Sequence, residues 1–139
     1  MNIQYKRAFI TMALFGFLFL YLIVDFLVVG VDNFTNRYNF LLTAAVILAV
    51  MIAFFGMLYV TNKKEYVVDE RDNQIQTKAT SVSLLITTMF VFLLSIGLFL
   101  GYESVGSVPV SWMWLMAYLT FDVAYLSSST IITLLYWRS

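Results

Sequence analysis

Two aspartates are the residues of this chain best placed to do chemistry. Asp122 interrupts the apolar run Trp112 to Trp137, and Asp25 interrupts the run Ala8 to Val31. Asp122 stands ten residues from Trp112, which is ~15 Å along a helix at 1.5 Å per residue. Asp25 stands ~9 Å from the far end of its own run by the same rise. Both fall in the same half of a bilayer, where the first and fourth runs could bring them close. An ionised aspartate at mid-bilayer costs about 2.5–3.5 kcal/mol on insertion scales. No lysine, arginine or histidine lies within the apolar runs to offset that cost, so desolvation favours the neutral acid.

Asp122 has polar company. Tyr118, Asp122, Tyr125, Ser129, Thr133 and Tyr136 follow the three-and-four spacing of one helix face. A polar stripe of this length must face a bundle or a partner rather than lipid. Three readings follow. A protonated Asp122 hydrogen-bonds a tyrosine or a carbonyl and locks the helix. Alternatively, the stripe lines a wet path or small cavity and Asp122 exchanges a proton. In the third, Asp122 meets a basic residue from another protein's membrane helix. Asp25 is the weaker candidate, being near enough to the interface to hydrate.

Composition removes most other chemistry. The 139 residues are 62% hydrophobic and 12% charged, about half the charge of a soluble domain at ~25%. The net charge is zero, which gives no reason to expect a nucleic-acid partner. Cysteine and histidine are both absent. Disulfides, thiolate and histidine catalysis, haem and the usual zinc ligand sets are excluded with them, and no cofactor or metal is expected.

The elements that must position the aspartates are helices. Four apolar runs reach the ~20 residues that a helix needs to cross ~30 Å of hydrocarbon, and backbone groups in lipid must be bonded within the segment. The expected architecture is an all-α integral membrane four-helix bundle forming a single domain. Its spans cover about 8–31, 39–61, 79–102 and 112–137, with a charged segment at 62–78. The first run is too long for a signal-peptide core and lacks a small-residue cleavage site, so it is read as a retained helix. Lys6, Arg7, Lys63, Lys64, Arg71, Lys78 and Arg138 fall on one side and Arg37 alone on the other. The positive-inside rule then places both termini and the middle segment in the cytoplasm of a cell membrane.

Association of helices in lipid depends on close packing at small residues. Ala45, Ala49 and Ala53, with Gly56 beside them, form one small-residue stripe, and Gly97 with Gly101 forms another. Ser81, Thr88, Ser95 and Tyr102 add a seven-residue stripe of hydroxyls on the third helix. These stripes are expected to pack the bundle; the alternative is a face between two copies of the chain.

The segment Lys63 to Lys78 holds eight of the sixteen charged residues. Asp69 suits a helix N-cap, with Glu70 and Asp72 in the first turn. Nothing after Glu70 breaks a helix before Gly97, so the third helix is expected to begin in the cytoplasm and run into the membrane. The plain reading is a cap, charge pairs and a topology signal; the functional one is a docking face for a cytoplasmic partner. A divalent-metal site from Asp69, Glu70 and Asp72 is disfavoured, since the segment lacks the glycine turn of an EF-hand loop. The stretch YVVDERDNQIQTKAT, Tyr66 to Thr80, resembles the signature of an uncharacterised family of small prokaryotic multi-pass membrane proteins. The match rests on Asp69, Glu70, Arg71, Ile75, Lys78 and Ala79, and on the hairpin–motif–hairpin layout. The resemblance implies a prokaryotic cell membrane and no established activity, and it adds weight to the motif as a partner or folding element.

These features suggest a non-enzymatic membrane protein that binds the bilayer, further copies of itself, or another membrane or cytoplasmic protein. The runner-up is a small proton- or cation-coupled transporter using Asp122 with Asp25, resembling in outline the small multidrug resistance exporters. Against it stand the one-sided charge bias and the outward position of Asp25.

Overall fold

A computed structural model describes residues 3–30, 32–34, 36–62 and 70–138. Four helices account for nearly all of them: α1 (Ile3–Val29), α2 (Arg37–Asn62), α3 (Glu70–Tyr102) and α4 (Val110–Arg138). The described residues contain no strand. Each helix is long and apolar enough to cross a membrane. The 33 residues of α3 give it a length of ~50 Å, more than a bilayer requires.

The turns at the helix ends follow from the residues there. Gly30 directly follows α1 with φ of 90°, a left-handed conformation open mainly to glycine, and its N–H bonds the Phe26 carbonyl at 3.0 Å. Such a residue satisfies an orphan carbonyl and stops the helix. The Tyr102 carbonyl accepts from both Val105 and Gly106, the latter with φ of 85°. Pro109, whose carbonyl accepts from Trp112 N–H at 3.1 Å, leads into α4.

Aromatic contacts set the direction of the helices. Tyr5 meets Tyr136, Phe15 meets Phe121 and Tyr125, and Phe26 meets Trp112, so α1 and α4 are antiparallel along their length. They form the central pair, with α2 against α1 and α3 against α4. Among the described residues, α2 and α3 make no comparable contact with each other. One end of the molecule carries Lys6, Arg7, Arg71, Lys78 and Arg138 and is referred to below as the basic end.

Two clusters form the core. The larger joins Phe15, Leu18, Leu22 and Phe26 of α1 to Leu115 and Leu119 of α4, with Phe34 and Val50. On α1 the buried positions 8, 11, 15, 18, 22 and 26 recur every three or four residues, the single stripe expected of one packed helix face. The smaller cluster lies at the basic end and joins Ala8, Ile75, Ala79, Ile132 and Tyr136. α4 is the most enclosed helix, burying Leu115, Leu119, Asp122, Ser129, Ile132 and Tyr136 among others, whereas α3 buries only Asp72, Ile75, Ala79 and Ser83.

Candidate functional site

Asp122 occupies a core position. The α4 stripe that meets the rest of the chain runs Leu115, Leu119, Asp122, Ser129, Ile132 and Tyr136, so an acid stands where the spacing asks for another apolar side chain. The antiparallel register sets it level with the Phe15–Leu22 stretch of α1. Asp122 is 0% exposed, and neither carboxyl oxygen has a hydrogen-bond partner. The expected bond to a tyrosine or carbonyl is therefore not formed. The physical reason lies in the neighbours: the buried α1 stripe at this level is Phe15, Leu18 and Leu22, and the nearby serine hydroxyls are turned to their own helix. Ser127 bonds the carbonyls of Val123 and Ala124, and Ser129 those of Tyr125 and Leu126. Full burial also leaves Asp122 no surface on which a basic residue of another protein can reach it. A polar group buried without a partner costs about 1–3 kcal/mol, so this position works against stability.

The rest of the predicted stripe is divided. Thr133 is buried and bonds the Ser129 carbonyl at 2.8 Å. Tyr118 is half-buried beside Trp114. Tyr125 keeps 42% of its surface exposed, yet its ring stacks on Phe15 at 5.2 Å and touches Phe54 and Phe121.

Asp25 is handled differently. Its Oδ2 accepts from Asn39 Nδ2 at 3.1 Å and from Thr43 Oγ1 at 3.3 Å. Asn39 also donates to the Phe34 carbonyl. Asp25 thus ties α1 to α2, and no hydrogen bond joins it to Asp122. Asn39 and Thr43 were not singled out from the sequence; their four-residue spacing on α2 is the available signal.

At the basic end a third acid is also enclosed. Asp72 is buried, and the Tyr136 hydroxyl donates to its Oδ1. The Arg71 guanidinium lies over the same tyrosine ring, 5.7 Å from its centre, an arrangement that favours a cation. Asp72 shares a helix stripe with Ile75, Ala79 and Ser83, so it belongs to the packed face and not only to the helix cap. That register, three residues before Ile75, is the signal by which the sequence could have shown it.

The predicted docking motif is split by the same packing. Glu70, Arg71 and Lys78 are exposed, whereas Ile75 lies in the smaller core cluster and is not available to a partner. Asp69 lies outside the described residues, as do Lys63 and Lys64. The small-residue stripes also depart from the expectation that they pack the chain's own bundle. Ala45, Ala49 and Ala53 are exposed, because α2 meets α1 with the opposite face, through Asn39, Thr43 and Val50. Gly97 and Gly101 are exposed, with nothing within 4 Å of where a Cβ would stand. Ser95 bonds its own helix at the Val91 carbonyl.

One cavity is lined by all four helices. It has a volume of about 180 Å³, and Gln4, Arg7, Phe54, Gln76, Tyr125 and Ser128 are among its walls. Arg7 Nε donates to Thr61 Oγ1 at 2.7 Å, and Gln76 reaches Gln4 at 3.4 Å. Among the described residues, no group of three or more carboxylate, histidine or cysteine side chains is placed to hold a metal ion. No family model, curated protein or solved structure matches the chain.

Proposed function

We propose that the chain is a non-enzymatic membrane subunit that associates within the bilayer, in the first instance with a second copy of itself, through the outer face of α3. The observation that carries this reading is the way α3 is held. Only Asp72, Ile75, Ala79 and Ser83, all towards the basic end, are buried; the remainder touches α4 along one edge. Its outer face presents Leu93, Gly97 and Gly101 with open space over both glycines. Small residues at such a face let helix backbones approach closely, which is the main source of association in lipid. The charge asymmetry supports a cell-membrane location with both termini cytoplasmic, and Glu70, Arg71 and Lys78 then offer a charged cytoplasmic surface beside the assembly. The test uses the absence of native cysteine. Leu93→Cys should form disulfide-linked dimers in vesicles, and Gly97→Leu in the same chain should abolish them. A monomer with no cross-link in either chain rejects the reading.

A second reading is favoured by one observation, the buried and unpartnered carboxyl of Asp122. A group kept in an unfavourable state at mid-membrane is a functional-site hypothesis by default, here proton- or cation-coupled transport. Asp25, bonded to α2, is not part of that site in this reading.

A further inference from the structure

We infer that the cavity at the basic end is an aqueous vestibule through which Asp122 exchanges protons with the cytoplasmic side. The inference deepens the second reading above and rests on it. The vestibule exists because α2 and α3 do not close on each other, leaving the central α1–α4 pair uncovered between them. Its volume of about 180 Å³ has room for several waters, each needing two to four polar partners. Gln4, Arg7, Gln76, Ser128 and Ser129 supply them. Ser128 is distinctive among its neighbours: Ser127, Ser129 and Thr130 each bond a carbonyl of their own helix, while Ser128 makes no such bond among the described residues and faces the cavity.

The inner end of the vestibule approaches Asp122. Of the α4 residues that line it, Tyr125 is the one farthest along the helix from the basic end and stands three residues from Asp122, a rise of ~4.5 Å. Tyr125 itself packs among the rings of Phe15, Phe54 and Phe121. A fully buried carboxyl one helical turn from the vestibule, with neither oxygen bonded, has no internal partner competing for proton exchange.

The surroundings select the ligand. No charged side chain lies in α1 from Ala8 to Val24, in α2 from Asn39 to Asn62 or in α3 from Ala79 to Tyr102. The titratable groups on α4 nearest Asp122 are Tyr118 and Tyr125, and Tyr21 is the tyrosine of α1 in that stretch. The Arg7 guanidinium stands in the vestibule wall, and its charge opposes entry of metal or organic cations. Protons carried by water and hydroxyls are the ligand class that fits.

The experiment again uses the cysteine-free chain. Ser128→Cys and the lipid-facing control Leu84→Cys, on the exposed side of α3, are reconstituted and treated with a membrane-impermeant thiol reagent from the side of the termini. Only a hydrated cysteine forms the reactive thiolate, so Ser128→Cys should label at least about ten-fold faster. In parallel, the wild-type chain is treated with dicyclohexylcarbodiimide, which modifies protonated carboxyls in membranes. Mass spectrometry should find the adduct on Asp122 and none in Asp122→Asn. If Asp122 is modified but the two cysteines label at equal rates, the vestibule is overturned and the proton-site reading stands. If Ser128→Cys labels fast but Asp122 stays unmodified, the proton-site reading itself falls, and the inference with it.

Discussion

Asp72 and Asp122 are both enclosed acids on packed helix faces, and the molecule treats them in opposite ways. Asp72, in the first turn of α3, receives the hydroxyl of Tyr136 from α4 and lies next to the cation–ring pair of Arg71. Asp122, midway along α4, receives nothing. The difference follows depth. Near a helix end the tyrosine, arginine and glutamine side chains of three helices converge, and each can point a donor inward. Midway along α4 the partners are leucine and phenylalanine, and the serine hydroxyls nearby are consumed by carbonyls of their own helix. One acid therefore fastens the bundle, and the other is held at a cost that packing elsewhere must offset. Asp25 falls between them, half-buried and bonded to two side chains of α2.

The largest expected effect separates the two acids at once. Asp72→Ala leaves the Tyr136 hydroxyl without this acceptor and opens space between α3 and α4, costing about 2–3 kcal/mol. Unfolding titrations in mixed detergent micelles measure it, and a loss under half of that would remove Asp72 from the role of clamp. Asp122→Val should move the other way, gaining about 1–2 kcal/mol as an unpartnered polar group is replaced by an apolar one of similar size. A clear loss in the same titration would mean that the carboxyl has a partner after all. Asn39→Ala breaks the bond to Asp25 and one to the Phe34 carbonyl, for a loss of about 1 kcal/mol; its effect should stay smaller than that of Asp72→Ala. The smallest effect belongs to Gly97→Leu, within about 0.5 kcal/mol of wild type when the monomer is unfolded at high detergent. A larger loss there would mean that the glycine packs within its own chain.

How much of this the sequence disclosed depends on the kind of signal. The helices were legible because the lack of charge across Phe40 to Val60 and Ala79 to Val91, and onward to Tyr102, leaves little else to form in lipid. The enclosure of Asp122 was legible from its polar stripe. Its isolation was not, since tyrosines at three- and four-residue spacing look like ready partners until the α1 face opposite them is known. The outward direction of Ala45, Ala49 and Ala53 was also hidden. Small residues mark a close contact but not its owner, and the bulky α1 stripe of Phe15, Leu18 and Leu22 is matched instead by the Thr43–Val50 face of α2. Ile75 entered the docking motif through the resemblance of Tyr66 to Thr80, which does not say which of its residues pack; Ile75 lies with Ala8, Ala79 and Tyr136 in the smaller core cluster.

The most direct test of the contrast is an infrared difference spectrum of the reconstituted chain, comparing wild type with Asp122→Asn and Asp72→Asn. A carboxylic-acid carbonyl band is expected at the high-frequency end of its range, where the group has no hydrogen bond, lost in Asp122→Asn and retained in Asp72→Asn. A lost band in the hydrogen-bonded range, or loss of carboxylate bands alone, would contradict it.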